Sequence, residues 1–153
     1  VPRLFDYNHP ILKKFEVAIV NAVGNYMRNL QNKKNHPFLG YKPTQYTIDI
    51  WANVLGSNDH QSSHIHNQGW MSGVYYVSLP ENSVEDNPYA GWLEFNRPGY
   101  GLPALAGEEN IERIAPKPGM IVMFPSYVWH GTIPFTSQDT RISIAFDVHA
   151  DYS

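Results

Sequence analysis

The chain has 153 residues, of which 16% are charged and 14% aromatic; it contains no cysteine and carries a net charge of −3 with the histidines neutral. Disulfides, thiolate zinc sites and thiol nucleophiles are excluded, no basic run marks a nucleic-acid surface, and no apolar stretch approaches the about 18 residues of a membrane-spanning helix. A chain of this length buries roughly 70% of its unfolded surface, and low charge with many aromatics predicts one packed domain, residues 1–153.

Val1-Pro2-Arg3-Leu4-Phe5 does not read as a signal peptide. The start without Met suggests a trimmed chain or a piece of a longer protein, and the lack of cysteine is compatible with a cytoplasmic setting. Residues 11–30 read as a helix, because Ile11, Phe15, Ile19, Ala22, Tyr26 and Leu30 recur at spacings of three and four and draw one apolar stripe. Pro10 suits the first turn, where its missing N–H is not needed, and Asn8 or His9 takes the cap. The stripe should lie against a sheet. Asn32-Lys33-Lys34-Asn35-His36-Pro37 is a polar connection.

Short β-rich runs then alternate with Gly, Pro, Asn and Asp clusters. Strands are expected near 45–55, 71–79, 91–95, 119–124, 128–133 and 140–148, a series that suggests a sandwich, jelly roll or barrel. The segment 96–118 reads as a long loop rich in Gly and Pro and a candidate lid.

Seven histidines are present: His9, His36, His60, His64, His66, His130 and His149. His9, His36 and His149 sit where a cap, a connection and a terminus explain them. His64 and His66 differ, because residues i and i+2 of an extended segment face the same way. Two imidazoles on one face can share a metal ion, although a polar strand end explains such a pair equally well. Ile65 between them would turn into packing. His130, in the distant strand-like run Val128-Trp129-His130-Gly131-Thr132, can complete a cluster if a closed β-fold brings it near, with Trp129 facing the other way.

In Arg141-Ile142-Ser143-Ile144-Ala145-Phe146-Asp147-Val148, one face carries Arg141, Ser143 and Ala145 and the other Ile142, Ile144, Phe146 and Val148. A guanidinium fork suits a carboxylate. A turn at Thr136-Ser137-Gln138-Asp139 would return the chain from His130 so that Arg141 lies beside the metal.

Taken as a set, HIHNQGWMSGVYYVSLP, GWLEF, PKPGMIVMFPSYVWHGTIPF and RISIAFDV resemble the 2-oxoglutarate/Fe(II)-dependent oxygenase family related to prolyl hydroxylases, often C-terminal to tetratricopeptide-type modules. The likeness runs from about Tyr46 to Val148. It implies a double-stranded β-helix, a cupin-like jelly roll with helices outside, which agrees with a mainly β core at about 45–148 and the N-terminal helix. It also implies that Fe(II), 2-oxoglutarate and O2 are used, that His64 and His130 are iron ligands, and that Arg141, assisted by Ser143, holds the remote carboxylate of 2-oxoglutarate. Tyr76 matches a tyrosine that touches this co-substrate, with Tyr75 as the alternative at the other strand parity. The family's usual carboxylate ligand is replaced by His66, so the expected metal and catalytic centre is His64, His66 and His130. A neutral imidazole does not lower the charge on iron as a carboxylate would, yet imidazole suits iron.

The implied reaction is hydroxylation of a small-molecule or peptide substrate, with oxidative decarboxylation of 2-oxoglutarate to succinate. Rival readings are a cupin-like metalloenzyme that does not use 2-oxoglutarate and a degenerate, non-catalytic metal-binding domain. Trp51, Trp70 and Tyr127 are candidate cavity walls or plain core, and His60 and Asn67 are candidate substrate contacts or plain polar positions. No nucleic-acid or membrane partner is indicated, and a homodimer is compatible with the composition.

Overall fold

In this computed structural model, residues 4–81, 87–104 and 110–151 are described. Helix α1 spans Pro10–Asn29, with Pro10 in its first turn and His9 as the cap: the His9 backbone is extended, and its ring Nδ1 accepts from the Ile11 N–H at 3.2 Å. The helix ends where Leu30 turns extended and its N–H closes on the Tyr26 carbonyl. Ile19 and Val23, one turn apart, are fully buried, and Phe15, Tyr26, Met27 and Leu30 pack around them. The predicted stripe therefore holds from Phe15 onward but omits Val23, while Ile11 is 67% exposed. Burial centres on the middle of the helix, and the first turn contributes little to it.

Among the described residues seven strands follow: β1 (Tyr46–Leu55), β2 (Met71–Ser78), β3 (Leu93–Phe95), β4 (Glu112–Ile114), β5 (Ile121–Pro125), β6 (His130–Thr132) and β7 (Arg141–Ala150). They form two antiparallel sheets, one ordered β1-β7-β2-β5 and the other β4-β3-β6. This is the expected mainly β architecture with a flanking helix. The segment 96–118 is not loop throughout: β4 lies within it and pairs with β3, Glu94 opposite Arg113. Three residues are too short a run to show alternation, and only the β3 edge makes them a strand. Residues 105–109, part of the predicted lid, lie outside the described residues.

Alternation along β7 divides the larger sheet into two faces. Phe146 and Val148 pack with Ile50, Met71, Trp70 and Phe38 under α1. Each such side chain, fully buried, contributes about 1.5–3 kcal/mol. Gly73 stands opposite Phe146, and a Cβ there would lie 2.2 Å from the ring, so the glycine makes room for the phenyl. The other face carries Arg141, Ser143, Ala145 and Asp147, flanked by Trp51 and Asn53 on β1 and by Ser72, Val74 and Tyr76 on β2. Leu93, Phe95 and Phe124, with Val74, Val122 and Val128, form a second apolar cluster. Among the described residues no helix is long and apolar enough to cross a membrane.

Candidate metal centre and the pocket behind it

His64 and His130 meet through the backbone. Each N–H donates to the other's carbonyl, at 2.9 and 3.0 Å, an isolated antiparallel bridge that sets the two rings 4.4 Å apart. Gly131 permits the approach, since a Cβ on it would lie 2.8 Å from the Gln61 carbonyl oxygen and 3.0 Å from the Ser63 nitrogen. His66 is fixed separately: its N–H donates to the Ser126 carbonyl at 2.9 Å. The three imidazoles expected to converge do so, with one ring nitrogen of each within 4.8 Å of the others.

Each imidazole has an acceptor on its outer nitrogen. His64 Nδ1 faces the Ser62 carbonyl at 2.7 Å, His130 Nδ1 the Val128 carbonyl at 3.0 Å, and His66 Nδ1 the Asp147 carboxylate at 2.7 Å. A carbonyl or carboxylate oxygen only accepts, so Nδ1 carries the proton in all three and Nε2 presents a lone pair inward. His64 Nε2 and His66 Nε2 stand 3.0 Å apart. Two lone pairs that close repel, and either a proton shared between them or a bound cation removes the conflict. Burial lowers the pKa of His130 to about 4, a shift its bond to the Val128 carbonyl opposes and its two histidine neighbours reinforce. It is therefore neutral, the form a metal needs. The chemistry of the set fits a divalent metal.

Behind the histidines lies a close-fitting pocket of about 40 Å³, lined in part by Trp51, Tyr76, Ala145 and Arg141. Arg141 is 1% exposed and Tyr76 fully buried. The guanidinium carbon stands 5.2 Å from the Tyr76 ring centre, and Nη1 donates to Ser143 Oγ at 3.2 Å. Among the described residues neither Arg141 Nε nor the Tyr76 hydroxyl has a partner at full hydrogen-bond geometry, although the two side chains lie close enough to interact with each other. Burial lowers the Arg141 pKa and, against the pull of that guanidinium, raises the Tyr76 pKa to about 12. An orphaned buried donor is costly, about 1–3 kcal/mol and more when charged. Two of them at one pocket form a place made for an anion's oxygens.

A larger cleft, about 880 Å³, shares Gln61, His64 and Thr132 with the inner pocket. Its walls include His60, Tyr89, Arg97, Tyr100 and Arg113. Glu94 lies between the two arginines, accepting from Arg97 Nε at 2.5 Å and Arg113 Nε at 3.0 Å. Burial raises the Glu94 pKa, but the two guanidinium groups outweigh it and the net shift is downward. The Ser63 hydroxyl donates to the Arg97 carbonyl and pins this wall beside His64.

The remaining expectations divide. Tyr76, not Tyr75, faces the pocket; the Tyr75 ring packs on Phe15 of α1, 5.0 Å away. Trp51 lines the pocket, its ring 5.8 Å from His66. Trp70 is core, stacked on Phe38 at 4.5 Å, and Tyr127 is 52% exposed. Trp129 packs against Tyr100. Asn67 borders a different surface depression, beside Asp49 and His149. His36 Nδ1 accepts from the Phe38 and Leu39 N–H groups, a purely local role. The residue that sequence reasoning misses is Asp147, although it continues the face of Arg141, Ser143 and Ala145.

The sequence model described as "Putative 2OG-Fe(II) oxygenase" matches residues 49–147, more than half of the chain. A search of curated proteins finds no match. Among solved structures, the chain resembles a Pseudomonas putida prolyl-4-hydroxylase at 14% identity and a TM-score of 0.51, covering 68% of this chain and 53% of that one. It resembles the viral collagen prolyl hydroxylase vCPH of Paramecium Bursaria Chlorella virus-1, in complex with 2OG, at 13% and 0.55, covering 94% and 74%. HygX from Streptomyces hygroscopicus with iron bound matches at 10% and 0.52, covering 70% and 59%. At these identities the likeness is one of fold: a jelly roll of the double-stranded β-helix kind. The match spans about half the length of the first of these structures.

Proposed function

This chain belongs to the 2OG-Fe(II) oxygenase family, and from that premise we propose that it is an Fe(II)- and 2-oxoglutarate-dependent dioxygenase hydroxylating a small-molecule or peptide substrate while 2-oxoglutarate is converted to succinate. The observation that carries the reading is a single pocket with inward lone pairs of His64, His66 and His130 at one end and the unpaired donors of Arg141 and Tyr76 at the other.

In this reading the three Nε2 atoms hold the iron, and the Nδ1 protons, each fixed on an oxygen, keep the rings from turning away. Arg141 binds the distal carboxylate of 2-oxoglutarate, braced by Ser143, and the Tyr76 hydroxyl donates to the same anion. When bound, iron with 2-oxoglutarate supplies the oxygen activation that hydroxylates a C–H bond. The apolar neighbours Leu93 and Phe124 and the indole of Trp51 keep bulk water from the pocket. Ala145 puts only a methyl into the lining, and the pocket must still widen, since about 40 Å³ is well below the roughly 300 Å³ or more of ordinary small-molecule sites. The substrate lies in the larger cleft, where His64 borders both spaces.

The test is anaerobic addition of Fe(II) and 2-oxoglutarate, watched for the visible charge-transfer band of their chelation, followed by oxygen-dependent succinate release. Both are expected. Iron demonstrably bound with no band would point instead to a metalloenzyme that does not use 2-oxoglutarate. A band without succinate, across a panel of small-molecule and peptide substrates, would point to a non-catalytic binding domain.

A further inference from the structure

Three neutral imidazoles leave a bound dication with its full charge. The carboxylate that answers it is one residue further out. Asp147 is 8% exposed, and each of its oxygens lies 2.7 Å from His66 Nδ1. The Ser72 hydroxyl donates to Asp147 Oδ1 at 2.6 Å, and Ser126 Oγ stands 2.8 Å from Ser72 Oγ. Ser72 and Ser126 are essentially fully buried, so the carboxylate is held by His66 and by Ser72, which Ser126 backs in turn. The backbone leaves room for this chain of bonds at Gly69: a Cβ there would lie 2.5 Å from Ser126 Oγ and 3.6 Å from Asp147 Cγ. The other two imidazoles donate only to neutral carbonyls, of Ser62 and Val128. His66 alone of the three donates to an anion.

We propose that Asp147 is a positioning residue for the metal centre: it holds His66 as the Nδ1–H tautomer with Nε2 turned to the cation, and through that ring supplies the negative charge the ligand set lacks. The inference rests on the metal-binding reading of His64, His66 and His130, and goes beyond it in assigning the source of the balancing charge. The substitution Asp147→Asn keeps the space filled, but it removes the charge, and the new amide can turn its NH2 toward His66 and favour the wrong tautomer.

Co(II) titration of the folded protein, followed by visible absorption, compares wild type with Asp147→Asn. The expected result is tight binding by wild type and an affinity lower by about 10–100-fold in the variant. Asp147 acting only as a structural support would instead lower the melting temperature of the metal-free and loaded forms alike and leave the affinity unchanged, and that result overturns the proposal. Absence of Co(II) binding by wild type would remove the metal-centre reading itself, and this inference with it. Where the variant does not fold, the wild-type protein decides the matter. In its Zn(II) form, histidine 15N shifts should place the His66 proton on Nδ1 and the metal on Nε2; the reverse assignment overturns the proposal.

Discussion

Replacing Arg141 by Met separates a binding role from a structural one, because the two predict opposite signs. The guanidinium is 1% exposed, its Nε has no acceptor, its hydrogen bond to Ser143 is 3.2 Å long, and among the described residues no carboxylate pairs with it. A buried charge without a counter-ion opposes folding, and replacing buried ionic groups with apolar residues of similar volume is often neutral or stabilising by about 1–4 kcal/mol. The metal-free Arg141→Met protein should therefore be as stable as wild type within about 1 kcal/mol, or more stable. Binding of 2-oxoglutarate moves the other way. Two charge-assisted hydrogen bonds at about 1.5–3 kcal/mol each amount to about 3–6 kcal/mol. At 1.4 kcal/mol per tenfold, the affinity should fall by about 10²- to 10⁴-fold. Urea unfolding of the metal-free protein gives the first quantity, and anaerobic titration of the charge-transfer band gives the second. A variant that loses more than about 2 kcal/mol of stability yet binds 2-oxoglutarate like wild type would refute the reasoning, by showing that the guanidinium is there for the fold.

The metal-free protein should also lose stability in acid through His130. Above about pH 6.5 both folded and unfolded chains hold this imidazole neutral; between 6.5 and about 4 only the unfolded chain takes up the proton. Stability is therefore fully present above that window and falls by about 3 kcal/mol across it. Urea midpoints measured in chelator from pH 7 to 4 should show the decline, and His130→Asn should flatten it; equal slopes in the two proteins would remove His130 as the cause. Two glycines give a further contrast. Gly73→Ala drives a methyl into the Phe146 ring and should destabilise by about 1–3 kcal/mol through overpacking, with Co(II) affinity little changed. Gly131→Ala pushes the His64 strand from the His130 strand and should weaken Co(II) binding as well as lower the melting temperature. Equal effects on metal affinity would contradict the placement of the Gly73 hydrogen against Phe146 in the larger sheet and of Gly131 in β6, next to His130.

Much of the site is legible in the sequence because β-strand parity is a local property. His64 and His66 face one way, and Arg141 and Ser143 face one way, whatever surrounds them. Asp147 is equally legible by that rule, two residues past Ala145. It escapes notice because an acidic residue near the end of a strand ordinarily reads as solvated. The choice between Tyr75 and Tyr76 needs the fold: Met71, Gly73 and Tyr75 share one face of β2 and Ser72, Val74 and Tyr76 the other, and the packing of the Tyr75 ring on Phe15 makes the first of these the core side. The β4 strand is hidden for another reason. Its three residues take their conformation from pairing with β3, not from their own pattern.

What the sequence determined on its own was therefore the helix and the strands other than β4, and which groups share a side of each strand, since both follow from period and turn chemistry within a few residues. Tertiary structure decided distance and burial. It brought His130 to His64 through a backbone bridge across more than sixty positions, set the Asp147 carboxylate against His66, and removed Arg141 from water. Those arrangements arise only when separated strands pair and pack, and it is desolvation in the packed state that turns ordinary histidines and an ordinary arginine into a site.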